Sequence, residues 1–201
     1  MKATEQLQSL GQSLWLDNIT RDLLTSGTLQ RYIDELSVTG LTSNPSIFDH
    51  AITHSKAYDE EIRRQAGAGK TDEALFFELA IQDLTKAADM FATVNKRTAG
   101  VDGWVSLEVS PLIAHDTART VAEARALHAK ANCPNLFIEI PGTLEGLPAI
   151  EEAIFSGSRS TSRCCSPATT MCGRQTPTCV VWSAAFPPAS IRTCAPSPRS
   201  L

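Results

Sequence analysis

The chain has no surplus of basic residues: 18 Lys and Arg stand against 22 Asp and Glu in 201 residues, a formal charge of -4. Phosphate backbones are gripped by clustered cations, so nucleic acid is not an expected partner. No apolar run approaches the roughly 20 residues of a membrane-crossing helix. The first ten residues, MKATEQLQSL, have no hydrophobic signal core. A membrane is therefore not expected either, and the expected location is the cytoplasm. Glycine-rich phosphate loops are also missing after every strand candidate, which counts against a nucleotide-binding sheet. What is present is ordinary for a globular protein, with 42% apolar and 20% charged residues.

Acids are absent from one region altogether. Residues 1–157 hold all 22 acids and 13 of the 18 basic residues, whereas Ser158 to Leu201 hold five Arg, no Lys, no Asp and no Glu. Five of the six Cys, six of the 11 Pro and 14 Ser or Thr crowd into those last 44 residues. The chain reads as two parts of different origin, 1–157 and 158–201.

The first part alternates short apolar strands with longer amphipathic helices. Strand candidates are LWLDN (Leu14 to Asn18), SVTGL running into Thr42, WVSLEVS (Trp104 to Ser110) and NLFIEI (Asn135 to Ile140). Helical patterns follow each: from Thr20 to Leu36, weakened by Gly27; from Pro45 to about Gln65 and, after AGAGK, from Thr71 to Lys96; from Asp116 to Ala131; and from about Leu144 to Phe155. Asn44 before Pro45 is an N-cap followed by a first-turn proline. Four strand-helix units predict an α/β fold with a parallel sheet, because parallel strands need long crossovers. A doubly wound sheet and a (β/α)8 barrel both fit. The barrel is favoured by where the polar residues fall: Asp17, Thr42, Asn44, Glu108 and Glu139 all lie in or just past strands, and barrel enzymes place their chemistry at strand ends.

Glu139 is the sharpest of these signals. It lies between Ile138 and Ile140, and a carboxyl in an apolar strand costs several kcal/mol unless partners compensate. Asp17 and Glu108 repeat the pattern in two other strands. Any one of them alone would read as a solvent-facing strand residue; three in three strands predict side chains converging on one end of the sheet.

At these residues the chain resembles a known family. GLTSNPSIF (Gly40 to Phe48) resembles the transaldolase signature at the end of the second barrel strand, and NLFIEIPGTLEGLPAIEEAI (Asn135 to Ile154) resembles that family's active-site strand and following helix. WVSLEVSP and the Asp17 strand match two further segments, and the likeness covers residues 5–157, closest to the longer bacterial type. The resemblance implies a (β/α)8 barrel of which this chain has the first four strand-helix units. It implies transfer of a dihydroxyacetone unit between sugar phosphates through a lysine Schiff base, with no metal or organic cofactor. It gives Asp17 the proton-transfer role, makes Glu108 with Thr42 the holder of the catalytic water, and has Asn44 bind substrate hydroxyls. The chain departs from the family at Glu139, which occupies the position of the Schiff-base lysine. A carboxylate cannot form an imine. The six lysines, Lys2, Lys56, Lys70, Lys86, Lys96 and Lys130, are all expected outside strands.

The last 44 residues show no helical or strand period and are expected to be irregular. Cys164, Cys165, Cys172 and Cys179 lack the paired spacing of a zinc site, and a disulfide scaffold would need an oxidising compartment. Back-translation offers another origin. Ser158 to Ala168, written in suitable codons and read from the third base, yields PINVTLLFSR, which resembles the fifth transaldolase strand due at this point. The same offset turns Ala185 to Leu201 into IPAGLDPDVRSVASL, again family-like. The tail is therefore expected to be a frameshift product.

Overall fold

The computed structural model describes residues 2–70 and 72–155 and the backbone of residues 160–163. Helix α1 (Ala3–Ser9) leads into β1 (Leu14–Asp17), α2 (Arg21–Thr25), α3 (Thr28–Leu36) and β2 (Val38–Thr42). Then come α4 (Pro45–His54), a 3-10 turn (Lys56–Tyr58), α5 (Asp59–Gly67), the 26-residue α6 (Asp72–Arg97) and β3 (Trp104–Glu108). A 3-10 turn (Pro111–Ile113), α7 (Thr117–Ala131), β4 (Leu136–Pro141), α8 (Gly146–Phe155) and β5 (Ser160–Arg163) complete the described chain. Among the described residues no helix is long and apolar enough to cross a membrane.

The sheet order is β1-β2-β3-β4-β5, every neighbouring pair parallel. This order separates the two candidate architectures. A doubly wound sheet reverses strand order at a switch point, whereas a barrel adds each strand beside the last. Sequential order with right-handed crossovers puts the helices on one face, and the core shows it. Leu41, Val105, Leu107, Leu136, Ile138 and Ile140, at alternate strand positions, join Leu84, Phe91, Ala124 and Ala149 of the helices in one buried cluster. The fold is the α/β barrel type.

Local signals explain most boundaries. The Thr20 hydroxyl accepts from the Leu23 amide at 3.0 Å and starts α2. Gly27, at φ 78°, splits the helical stretch predicted from Thr20 to Leu36 into α2 and α3. The pattern from Pro45 to Gln65 is likewise broken, at Ser55 and the following 3-10 turn. A buried polar knot ties these pieces to α6: Asp83, fully buried, accepts from Arg21 Nε at 3.0 Å and from the Tyr58 hydroxyl at 2.8 Å. Burial, then the Asp83 charge, pushes the Tyr58 hydroxyl well above its ordinary pKa. Removing either partner would strand a buried charge or hydroxyl.

One helix carried no signal to read in the sequence, and one short stretch of the tail differs from its expectation. Helix α1 carries no apolar period and buries no residue; it is closed by the Lys2 amide donating to Glu5 Oε2 at 2.7 Å. The tail, expected to be irregular, contributes β5, in which Ser160, Thr161, Ser162 and Arg163 pair with Ile138, Glu139, Ile140 and Pro141. STSR carries no alternation to read. What makes it a strand is the outer edge of β4, whose backbone groups otherwise lack partners. Residues 164–201, with Cys164, Cys165, Cys172 and Cys179, lie outside the described residues.

Gly103 enters β3 at φ 80°, its amide donating to Thr39 O at 2.7 Å, and a Cβ there would lie inside contact distance of the Asn95 backbone. Gly100 has φ 81° but open space around it. Gly100→Ala should cost about 1 kcal/mol for the backbone conformation alone. Gly103→Ala should cost at least about 3 kcal/mol, because backbone cannot step aside as a side chain can. Urea unfolding of the two variants measures the difference.

Candidate active site

The inner face of the sheet, opposite the helices, has two levels. Alternation places Trp15, Gly40, Trp104, Ser106 and Phe137 on it, with Asp17, Thr42, Glu108 and Glu139 further along the same strands. The lower level is aromatic. Trp104 stacks on Phe137 with centroids 4.1 Å apart, and Trp15 stacks on Phe137 at 6.5 Å. Gly40 is what lets Trp15 reach across β2, since a Cβ there would come within 2.5 Å of the indole. The Trp104 indole N–H donates to Gly100 O at 2.9 Å, so its one polar atom is satisfied at full burial.

Above this floor the strand ends bring the predicted residues together. Asp17 is in register with Thr42, and Glu108 with Glu139. The Thr42 hydroxyl donates to Glu139 Oε1 at 2.9 Å, which joins the β2 and β4 ends across β3. Glu139 is only 5% exposed, Glu108 and Thr42 are half-buried, and Asp17 is exposed. Asp17, Thr42, Glu108 and Glu139 therefore share one face and one end of the sheet. Asn44 stands just beyond β2 as the cap of α4, its Oδ1 accepting from the Ile47 amide at 2.9 Å. The cap engages the carbonyl oxygen, so what Asn44 has to offer a ligand is its amide NH2. All six lysines lie outside the strands: Lys2 caps α1, Lys56 is in a 3-10 turn, Lys70 precedes α6, Lys86 and Lys96 are on α6, and Lys130 is on α7.

The loops after the strands are cross-braced. Ser43 Oγ donates to Ser106 O at 2.8 Å, fully buried. After β3, the Ser110 amide donates to Glu123, whose carboxyl burial pushes above the usual range. After β4, Thr143 Oγ1 donates to Ala114 O at 2.6 Å and accepts from the Gly146 amide at 2.9 Å, while Thr117 Oγ1 donates to Glu145 O at 2.7 Å. Gly146 passes so close to Pro141 O that any Cβ would collide. Sequence reasoning missed both the aromatic floor and these braces. The floor did leave a signal: in β1, β2 and β4 an aromatic or Gly stands two positions before the polar residue at the strand end.

Thr42→Val should cost about 1–3 kcal/mol, because it leaves a buried carboxyl oxygen short of a donor. In a Glu139→Leu background the same change should cost under about 0.5 kcal/mol. A urea-denaturation double-mutant cycle checks this coupling; equal costs in the two backgrounds would show that the hydrogen bond carries no stability.

The family model described as Transaldolase/Fructose-6-phosphate aldolase matches residues 14–162. Among curated proteins, the transaldolase of Arthrobacter sp. (strain FB24) is 49% identical over 154 residues, covering 77% of this chain and 42% of the relative. That of Thiobacillus denitrificans is 45% identical over 151 residues, 75% of this chain and 42% of the relative. That of Trichodesmium erythraeum is 40% identical over 152 residues, 76% of this chain and 40% of the relative. The chain thus spans about two fifths of the length of the curated relatives it matches. A parallel sheet in sequential order with polar residues gathered at its strand ends, and a family match running through β1 to β4, place the chain in the transaldolase/fructose-6-phosphate aldolase family.

Proposed function

We propose that this chain carries the first half of a transaldolase barrel and that its sugar-phosphate site is catalytically silent. The reaction of the intact type would move a dihydroxyacetone unit from sedoheptulose 7-phosphate to glyceraldehyde 3-phosphate, giving erythrose 4-phosphate and fructose 6-phosphate, in the pentose phosphate pathway. In that reading Asp17 transfers protons, Glu108 and Thr42 hold the attacking water, and Asn44 binds substrate hydroxyls. Asp17 stands at the strand end in register with Thr42, on the face it shares with Glu108 and Glu139, which supports this role.

The observation that carries the silent reading is the Thr42–Glu139 hydrogen bond at 5% exposure of Glu139. The position of the expected amine holds an acid, which has no lone-pair nitrogen to add to a ketose carbonyl. The same acid draws the Thr42 hydroxyl to itself and away from a water beside Glu108. A second reading is a fragment that only packs against other chains. The outer edge of β1 and the Trp15 side chain, 38% exposed on the inner face, favour it. The two readings are compatible as origin and present state. We also propose that the tail from residue 158 is read out of frame, which the family match ending at residue 162 supports. Resequencing across codon 157 should then reveal a single-base insertion or deletion.

Borohydride added to the chain with fructose 6-phosphate should leave no covalent adduct, because an imine must exist before it can be reduced. An adduct mapped by mass spectrometry to any of the six lysines would refute the silent reading.

A further inference from the structure

Helix α4 carries His50 and His54 one turn apart on the side away from the core, where Phe48 and Ala51 are buried. Both histidines are exposed, and their rings are stacked, with centroids 4.1 Å apart and planes 14° from parallel. Positions one turn apart put both side chains on one helix face with Cβ atoms about 5–6 Å apart, within reach of a shared ion. Two nitrogens bound to one tetrahedral ion at about 2.0–2.1 Å stand about 3.3 Å apart. The lone pairs of stacked rings run nearly parallel, so binding turns the exposed His50 ring about its side-chain bonds until its lone pair converges on an ion held by His54.

The protonation of one ring follows from its neighbours. His54 Nδ1 lies 3.0 Å from the His50 carbonyl oxygen and 3.0 Å from Thr53 Oγ1. A carbonyl oxygen only accepts, so Nδ1 carries the hydrogen. The Thr53 hydroxyl, which donates to Asp49 O at 2.7 Å, accepts from the same N–H. His54 is thereby fixed in the tautomer whose lone pair is on Nε2, pointing away from the helix backbone. Metal-binding histidines are held in the same way, one nitrogen donating to a carbonyl and the other ligating.

We propose that His50 and His54 form a two-histidine site for a divalent transition-metal ion, with copper(II) bound more tightly than nickel(II) or zinc(II). Imidazole pairs follow the Irving–Williams order, and nothing in an open helical site imposes a geometry that would reverse it. The remaining coordination positions are left to water. Only a folded α4 presents both nitrogens at once, so the ion stabilises the helix that Asn44 caps at the mouth. The site is separate from Asp17, Thr42, Glu108 and Glu139, and its occupancy does not depend on the catalytic reading.

Cysteine thiolates compete for the same ions, so the test uses the full chain with its reactive thiols alkylated. Copper(II) chloride is titrated by calorimetry in a non-coordinating buffer, and the bound ion is examined by electron paramagnetic resonance. The expected result is one tight site per chain with nitrogen hyperfine structure from two imidazoles, and a copper-dependent rise in melting temperature. His50→Ala and His54→Ala should each weaken binding at least tenfold and abolish that rise, while His115→Ala changes neither. Far-UV circular dichroism of each variant, expected to match the parent because both side chains are exposed, separates loss of the site from loss of the helix. Unchanged copper affinity in either His50→Ala or His54→Ala, or a loss of equal size in His115→Ala, would overturn the proposal.

Discussion

A strand has two faces and a parallel neighbour fixes which residues share them; that constraint organises the described chain. Each of β1 to β4 gives its aliphatic residues to the helices and its aromatic and polar residues to the other side. Because every crossover returns beside the preceding strand, the inner faces add up instead of alternating. Leu41, Val105, Leu107, Ile138 and Ile140 build the core with α6, α7 and α8, and the opposite parity builds the floor of Trp15, Trp104 and Phe137. A one-residue slip in β1, β3 or β4 would carry an acid into the helix layer and an aliphatic into the mouth.

Much of this was legible in the sequence, for reasons that differ by element. The four strands are short apolar runs, with β-branched residues in β2, β3 and β4, and all four were placed within two residues of the ends found. Asn44-Pro45 announced its helix because capping is local chemistry, and the Asn44 side chain does cap. Gly27 was read as weakening one helix when it ends one and starts another; a positive φ is a property that sequence spacing does not reveal. Helix α1 was invisible because it buries nothing, and β5 because its strand character comes from the edge it pairs with. Both are tertiary or capping effects on segments without hydrophobic period.

The site shows the same division. That Asp17, Glu108 and Glu139 share a sheet end follows from their place in the strands. That Thr42 turns its hydroxyl to Glu139 does not, because it depends on the way β2 and β4 approach across β3. The hydrogen bond gives the Glu139 carboxyl a partner and so offsets part of the cost of its burial. Glu139 is thus accommodated by the fold through the Thr42 hydroxyl, the same hydroxyl to which the proposed function gives a water.

We propose two separate defects, an acid at residue 139 where the reaction needs an amine and a reading frame displaced after residue 157. The most direct measurement is borohydride trapping of fructose 6-phosphate on four proteins: this chain, Glu139→Lys, the frame-restored chain, and the frame-restored chain carrying Glu139→Lys. An amine in an incompletely enclosed mouth stays hydrated and protonated, so Glu139→Lys alone should trap nothing. Frame restoration alone should improve solubility and still trap nothing, while the two changes together should give an adduct on residue 139 and recover transfer activity. Trapping by the frame-restored chain with Glu139 in place would contradict the account, since the nucleophile would then lie elsewhere.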